Sequence, residues 1–215
     1  MSTPVLDFYC ERVGSGLGAE PLNAATNLAF FAAAWLAWRL ARRNGTLDGA
    51  TAALLALVVA IGTGSSLFHT FATPWARVLD ELPILLFQLL FLWLYVRRIA
   101  HLPRAAAAGA IAAYLAAALY ARQFPHLLNG SLIYAPAVLM TAAMGLHYWL
   151  MRQPQPPLLA IAAAILVAAV FSRTLDGAVC ARFPLGTHFV WHLLVAAVIY
   201  CCLRALLVSR PRKPA

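Results

Sequence analysis

Ala50–Phe71 reads ATAALLALVVAIGTGSSLFHTF. The whole stretch has no Asp, Glu, Lys or Arg and is long enough to cross a hydrocarbon layer as a helix, which takes about 20 predominantly apolar residues. Serine and histidine stand toward its end. Comparable stretches lie on both sides, separated by short basic or proline-containing breaks. Helices are expected near Leu22–Ala41, Ala50–Phe71, Leu79–Val96, Arg104–Ala121, Leu128–Leu150, Pro157–Thr174 and Thr187–Val208. The expected fold is an all-α membrane protein, a seven-transmembrane helix bundle. It forms one domain: an extramembrane segment 1–21, a bundle 22–208 and a basic cytoplasmic tail 209–215.

Composition agrees. Of 215 residues, 63% are hydrophobic and 11% charged, against roughly a quarter charged in a soluble domain. So little polar surface cannot cover a water-facing globule. The formal charge of +9 is scattered between apolar spans without interleaved aromatics, which argues against nucleic acid as a partner. The first 20 residues carry Asp7, Glu11 and Glu20 and lack the basic start and apolar centre of a signal peptide.

Basic loops stay cytoplasmic. Arg39, Arg42, Arg43, Arg97, Arg98, Arg104, Arg152, Arg204, Arg210, Arg212 and Lys213 fall on one side of the seven-helix arrangement, and Arg12, Arg77, Arg122, Arg173 and Arg182 on the other. This bias puts the N-terminus outside and the C-terminus in the cytoplasm. Arginine far outnumbers lysine, which points to a bacterial chain; with the loop bias, the expected place is a bacterial inner membrane with the site toward the periplasm, or an ER or Golgi membrane if the chain is eukaryotic.

Ionisable residues within spans are costly and are functional candidates by default. His69 ends the second expected helix at its outer side, and His188 and His192 begin the seventh there. The spacing i, i+4 puts both imidazoles of that pair on one helix face. Three histidines with an open fourth position suit a catalytic zinc; interhelical hydrogen bonding is the competing reading. His101, His126 and His147 lie elsewhere.

Asp80 begins the third expected helix at the same side, either as a carboxylate offsetting a helix N-terminus or as a proton shuttle. Ser65 lies one turn before His69, where a hydroxyl can assist at a carbonyl; Ser66 is almost as well placed. Periodicity alone favours close packing for the patch Gly62, Gly64, Ser65 and Ser66. Arg173 and Asp176 read as a pair with one another or with lipid headgroups.

Three motifs then stand in order: Ser65 to His69 as S-x-x-x-H, Leu-Asp-Glu-Leu-Pro at Leu79–Pro83, and Gly-Thr-His-Phe-Val-Trp-His at Gly186–His192. With Asp7-Phe8-Tyr9-Cys10-Glu11 and Glu20-Pro21-Leu22-Asn23, they resemble the alkaline ceramidase family, seven-helix zinc hydrolases of the superfamily that includes adiponectin and progestin receptors. The resemblance implies zinc on His69, His188 and His192, proton handling by Asp80, and Ser65 at the substrate carbonyl. The substrate would be a membrane lipid, a ceramide-like N-acyl lipid, cleaved to a fatty acid and a sphingoid base.

It also implies a calcium site on Asp7, Glu11 and Glu20, although Val13 stands where an asparagine ligand is expected, and a disulfide between Cys10 and Cys180. Cys201 and Cys202 read as buried thiols. A hydrolase of a different lipid, a receptor-like or structural protein with a non-catalytic zinc, and a proton-coupled transporter are the alternatives.

Overall fold

The computed structural model describes residues 5–14 and 16–209, so Arg210, Arg212 and Lys213 of the expected tail lie outside the described residues. Among the described residues there is no strand. The helices are α1 (Pro21–Thr26), α2 (Leu28–Asn44), α3 (Gly49–Phe71), α4 (Pro74–Leu94), α5 (Arg104–Ala121), α6 (Ala135–Leu150), α7 (Leu158–Val179) and α8 (His188–Val208). A π-turn, Tyr95–Ile99, prolongs α4, and a 3-10 segment, Leu127–Tyr134, leads into α6.

Six of these elements are long and apolar enough to cross a membrane, namely Gly49–Phe71, Pro74–Ile99, Arg104–Ala121, Leu127–Leu150, Leu158–Val179 and His188–Val208. The chain is therefore an integral, multi-pass membrane protein. The first expected span is divided. Asn23 and Asn27 are fully buried, and the helix breaks at Asn27, leaving α2 with 17 residues, about 26 Å at 1.5 Å per residue.

Local chemistry explains the ends. The Asp48 carboxylate accepts the Thr51 amide at 2.8 Å and caps α3, satisfying one of the amides that a helix start leaves unpaired. Gly45 closes α2 at φ 64°, a conformation open to glycine without steric cost. Pro74 occupies the first turn of α4, where a missing N–H is harmless.

The start at Pro74 corrects the expected Leu79. Asp80 sits almost two turns inside the helix and does not face a helix N-terminus.

The α3–α4 hairpin is tight because of two residues. Pro83 has no N–H to give the Leu79 carbonyl four residues back, and Gly64 of α3 packs directly against that carbonyl, where a Cβ would collide with it. Gly145 of α6 likewise packs on the backbone of Ala160 in α7.

Helix α8 packs against α2 and α7 and is the most enclosed span, 61% buried within its apolar window, against 17% for α5. The buried post thus carries His188 and His192, and the peripheral helix leaves room at its side for a cavity.

Candidate active site

The C-terminal end of α3 and the N-terminal end of α8 meet at one end of the bundle. His69, His188 and His192 are all buried there, and one ligand-capable nitrogen from each lies within 4.8 Å of the others. Among the described residues this is the group of histidine, cysteine and acidic side chains that could hold a metal.

Hydrogen bonds fix the tautomers of two rings. His69 presents Nδ1 to the Glu20 carboxylate at 2.5 Å, and Glu20 can only accept, so Nδ1 carries the proton. His192 presents Nδ1 to Thr26 Oγ1 at 2.9 Å. The Thr26 hydroxyl donates to the Leu22 or Asn23 carbonyl, so its oxygen accepts from His192.

Both Nε2 atoms are then lone pairs, and they face one another at 3.1 Å. Two facing lone pairs repel unless a cation lies between them. His188 completes the set; its Nδ1 is buried without a hydrogen-bond partner, and its ring stacks on Tyr9 with centroids 3.6 Å apart. An all-nitrogen donor set with two convergent lone pairs fits zinc.

The supporting residues come from far along the chain. Burial tends to raise the Glu20 carboxyl, but the His69 and Asn23 hydrogen bonds and the Arg12 charge outweigh it and hold the group below the usual carboxylate range. Glu20 therefore stays an anion behind His69, the carboxylate–histidine arrangement that orients metal ligands. Burial pushes the Tyr9 phenol up, against the lowering effect of Arg173, so Tyr9 remains an O–H.

Asp176, with no exposed surface, accepts the Thr187 and His188 amides on Oδ1 at 2.7 and 2.9 Å and the Cys10 amide on Oδ2 at 3.0 Å. It thereby caps α8 and ties down the N-terminal segment. Arg173 does not pair with it. Its guanidinium bonds to the Asn129 carbonyl and the Ser131 hydroxyl and lies over Tyr134, which corrects the pairing read from sequence.

Asp80 and Ser65 line a small chamber with His188, His192, Tyr9 and Tyr134. At about 20 Å³ it has room for one water molecule. The Ser65 hydroxyl is a hydrogen-bond partner of the Asp80 carboxylate. Ser66 instead donates to the Gly62 carbonyl of its own helix at 2.8 Å, so Ser65 is the hydroxyl that reaches the chamber.

Tyr9, Ile84 and Tyr134 also line a second cavity of about 620 Å³ between α4, α5 and the Leu127–Tyr134 segment. Its wall is mostly apolar, of aliphatic and aromatic side chains, and Arg77, Glu81 and Arg122 stand in its lining as a linked ion-pair group.

With this geometry in place, the comparison with protein families is decisive: the model described as Ceramidase matches residues 5–213. The chain belongs to the ceramidase family. No curated individual protein matches it. Membership makes this ceramidase-family chain a membrane hydrolase acting on amide bonds. Its disulfide is present, with Cys10 joined to Cys180, and Cys201 and Cys202 are free.

The calcium expectation fares differently in this chain. Both Glu20 oxygens are engaged, one by Arg12 and one by Asn23 and His69. Both Glu11 oxygens accept backbone amides, from Leu22 at 2.6 Å and Asn23 at 2.7 Å, at the start of α1. Of the three acids only Asp7 is exposed. Calcium takes six to eight oxygens, and these residues do not fit it.

Proposed function

We propose that this protein is a zinc-dependent hydrolase of the amide bond in an N-acyl sphingoid lipid, with His69, His188 and His192 holding the metal. The observation that carries the reading is the pair of facing Nε2 lone pairs beside a one-water chamber that contains Asp80 and Ser65. When bound there, zinc would supply Lewis acidity, polarising a carbonyl and acidifying water.

The chain's own residues do the rest. Asp80 takes a proton from water as its oxygen attacks the amide carbon, and delivers a proton to the nitrogen as the C–N bond breaks. Ser65 donates to the Asp80 carboxylate at rest. Once Asp80 is protonated that acceptor is weaker, and the hydroxyl is free to turn to the oxyanion. The apolar cavity accommodates a lipid chain, and Tyr9 and Tyr134 close the chamber from that side.

Supporting an outer-leaflet site are the charge asymmetry of the loops and a disulfide at the same end, since disulfides persist in oxidising compartments. In this reading α1 and α2 together form the first span and bring the count to seven, the N-terminus is outside, and the tail is cytoplasmic.

The test is zinc content and N-acyl lipid hydrolysis by detergent-purified protein. His192→Ala should lose both zinc and activity, and Asp80→Asn should lose activity while keeping zinc. Bound zinc without turnover of any N-acyl lipid by the wild type would favour a receptor-like or structural role, and a wild type without zinc would end the metal assignment.

A further inference from the structure

Arg12 is a cation sealed in the N-terminal segment, its side chain 1% exposed. Its Nε donates to Glu20 Oε1, and its Nη2 donates to the His69 carbonyl at 2.9 Å. Glu20 Oε2 in turn accepts from His69 Nδ1 at 2.5 Å. The three residues form a closed ring in which the guanidinium grips His69 at its backbone and, through Glu20, at its imidazole.

The carbonyl it takes lies in the last turn of α3, which ends at Phe71, where helix carbonyls lack donors of their own. The planar fork of arginine supplies both donors at a fixed angle, which a lysine ammonium does not.

This geometry explains why the acids fail to make a calcium site. A divalent ion on Glu20 would have to displace a guanidinium already bonded to that carboxylate, and the displaced charge would be left buried and unpaired. We propose that Arg12 is the built-in cation of this segment, a positioning residue that takes the place of a divalent ion, fixes Glu20 and His69, and leaves the protein independent of calcium. Only the zinc readout below rests on the metal assignment made above.

The experiment uses the full chain in detergent. Wild type is melted with and without millimolar calcium chloride, and radioactive calcium binding is measured alongside. No shift and no stoichiometric binding are expected. Arg12→Ala is then compared with wild type for melting midpoint and for zinc affinity by competition with a chromogenic chelator.

The expected result is a lower midpoint and zinc affinity weaker by about 10- to 100-fold, the scale of losing a ligand's outer partner. Millimolar guanidinium ion should restore both by refilling the site. Arg12→Ala with Glu20→Gln should lose less zinc affinity than the two single losses added together, because the arginine acts in part through the glutamate; a merely destabilising substitution would add in full.

A calcium-induced rise in the wild-type midpoint would overturn the proposal. So would Arg12→Ala protein with wild-type midpoint and zinc affinity. If Arg12→Ala does not accumulate, Arg12→Lys carries the same comparison, with charge retained but the fork lost. A wild type devoid of zinc would refute the metal assignment instead, while the calcium and guanidinium midpoints still decide the role of Arg12.

Discussion

Replacing Asp176 by asparagine tests whether the frame of the site, rather than its ligands alone, holds the histidines together. The carboxylate accepts three backbone amides with no exposed surface. Hydrogen bonds to a charged acceptor are worth about 1.5–3 kcal/mol each, and an orphaned buried donor costs about as much. An asparagine oxygen turned toward Thr187 and His188 keeps two of the bonds in a weaker, neutral form.

Its NH2 group then faces the Cys10 amide, donor against donor. A net loss of about 3 kcal/mol follows, equivalent to a midpoint about 6–12 °C lower for a chain of this size. Because α8 carries two of the three histidines, zinc affinity should fall with stability. Thermal unfolding by intrinsic fluorescence in detergent, with zinc titrated in parallel, measures both. A midpoint within about 2 °C of wild type, less than the shift for a single kcal/mol, with unchanged zinc affinity, would show that Asp176 does not secure α8.

Gly64→Ala puts a methyl group into the Leu79 carbonyl and should destabilise by about 1–3 kcal/mol as α3 and α4 are forced apart, read as a lowered midpoint with reduced activity. Asp48→Ala removes the α3 cap and should cost about 1 kcal/mol at neutral pH. Burial raises the Asp48 carboxyl, but the Thr51 amide and Arg98 outweigh this and hold it below the ordinary value. Its contribution is therefore present above the unfolded pKa of about 4 and is lost as pH falls through the lower folded value, so wild-type and mutant midpoints should converge in acid. Cys180→Ser opens a link spanning 170 residues and should cost about 2–5 kcal/mol, measured as a midpoint drop that wild type reproduces under reductant.

Much of the bundle was legible because a span needs length and apolarity, and Gly49–Phe71 or His188–Val208 has both. The histidine cluster was legible too, through an i, i+4 pair and a common depth. What escaped was local polar chemistry. Thr73-Pro74-Trp75-Ala76-Arg77 reads as a break between spans, yet proline at N1 begins α4 there, which moves Asp80 inside the helix. Asn23 and Asn27 lie within an apolar stretch and mark the division of the first span.

The supporting shell could not be read from spacing, since Glu20 acts on a residue 49 positions away. Asp176 reaches α8 across a turn, and its only trace in the sequence is Gly186, whose φ of 62° and missing Cβ admit the carboxylate. Nor does the spacing of the acids near the chain start show that Glu20 is paired with Arg12.

The strap formed by Tyr9, Cys10 and Arg12 is bonded across the top of the histidines, covalently at Cys180 and by ring stacking at His188. Access is left from the side, along the cavity whose wall includes the exposed Leu82 and Leu119. Turnover should then follow the mole fraction of substrate in a micelle or bilayer and not its bulk molarity. At fixed total substrate, adding inert detergent should slow the reaction as surface dilution does, and the protein would sense how crowded its membrane is with the lipid it cleaves.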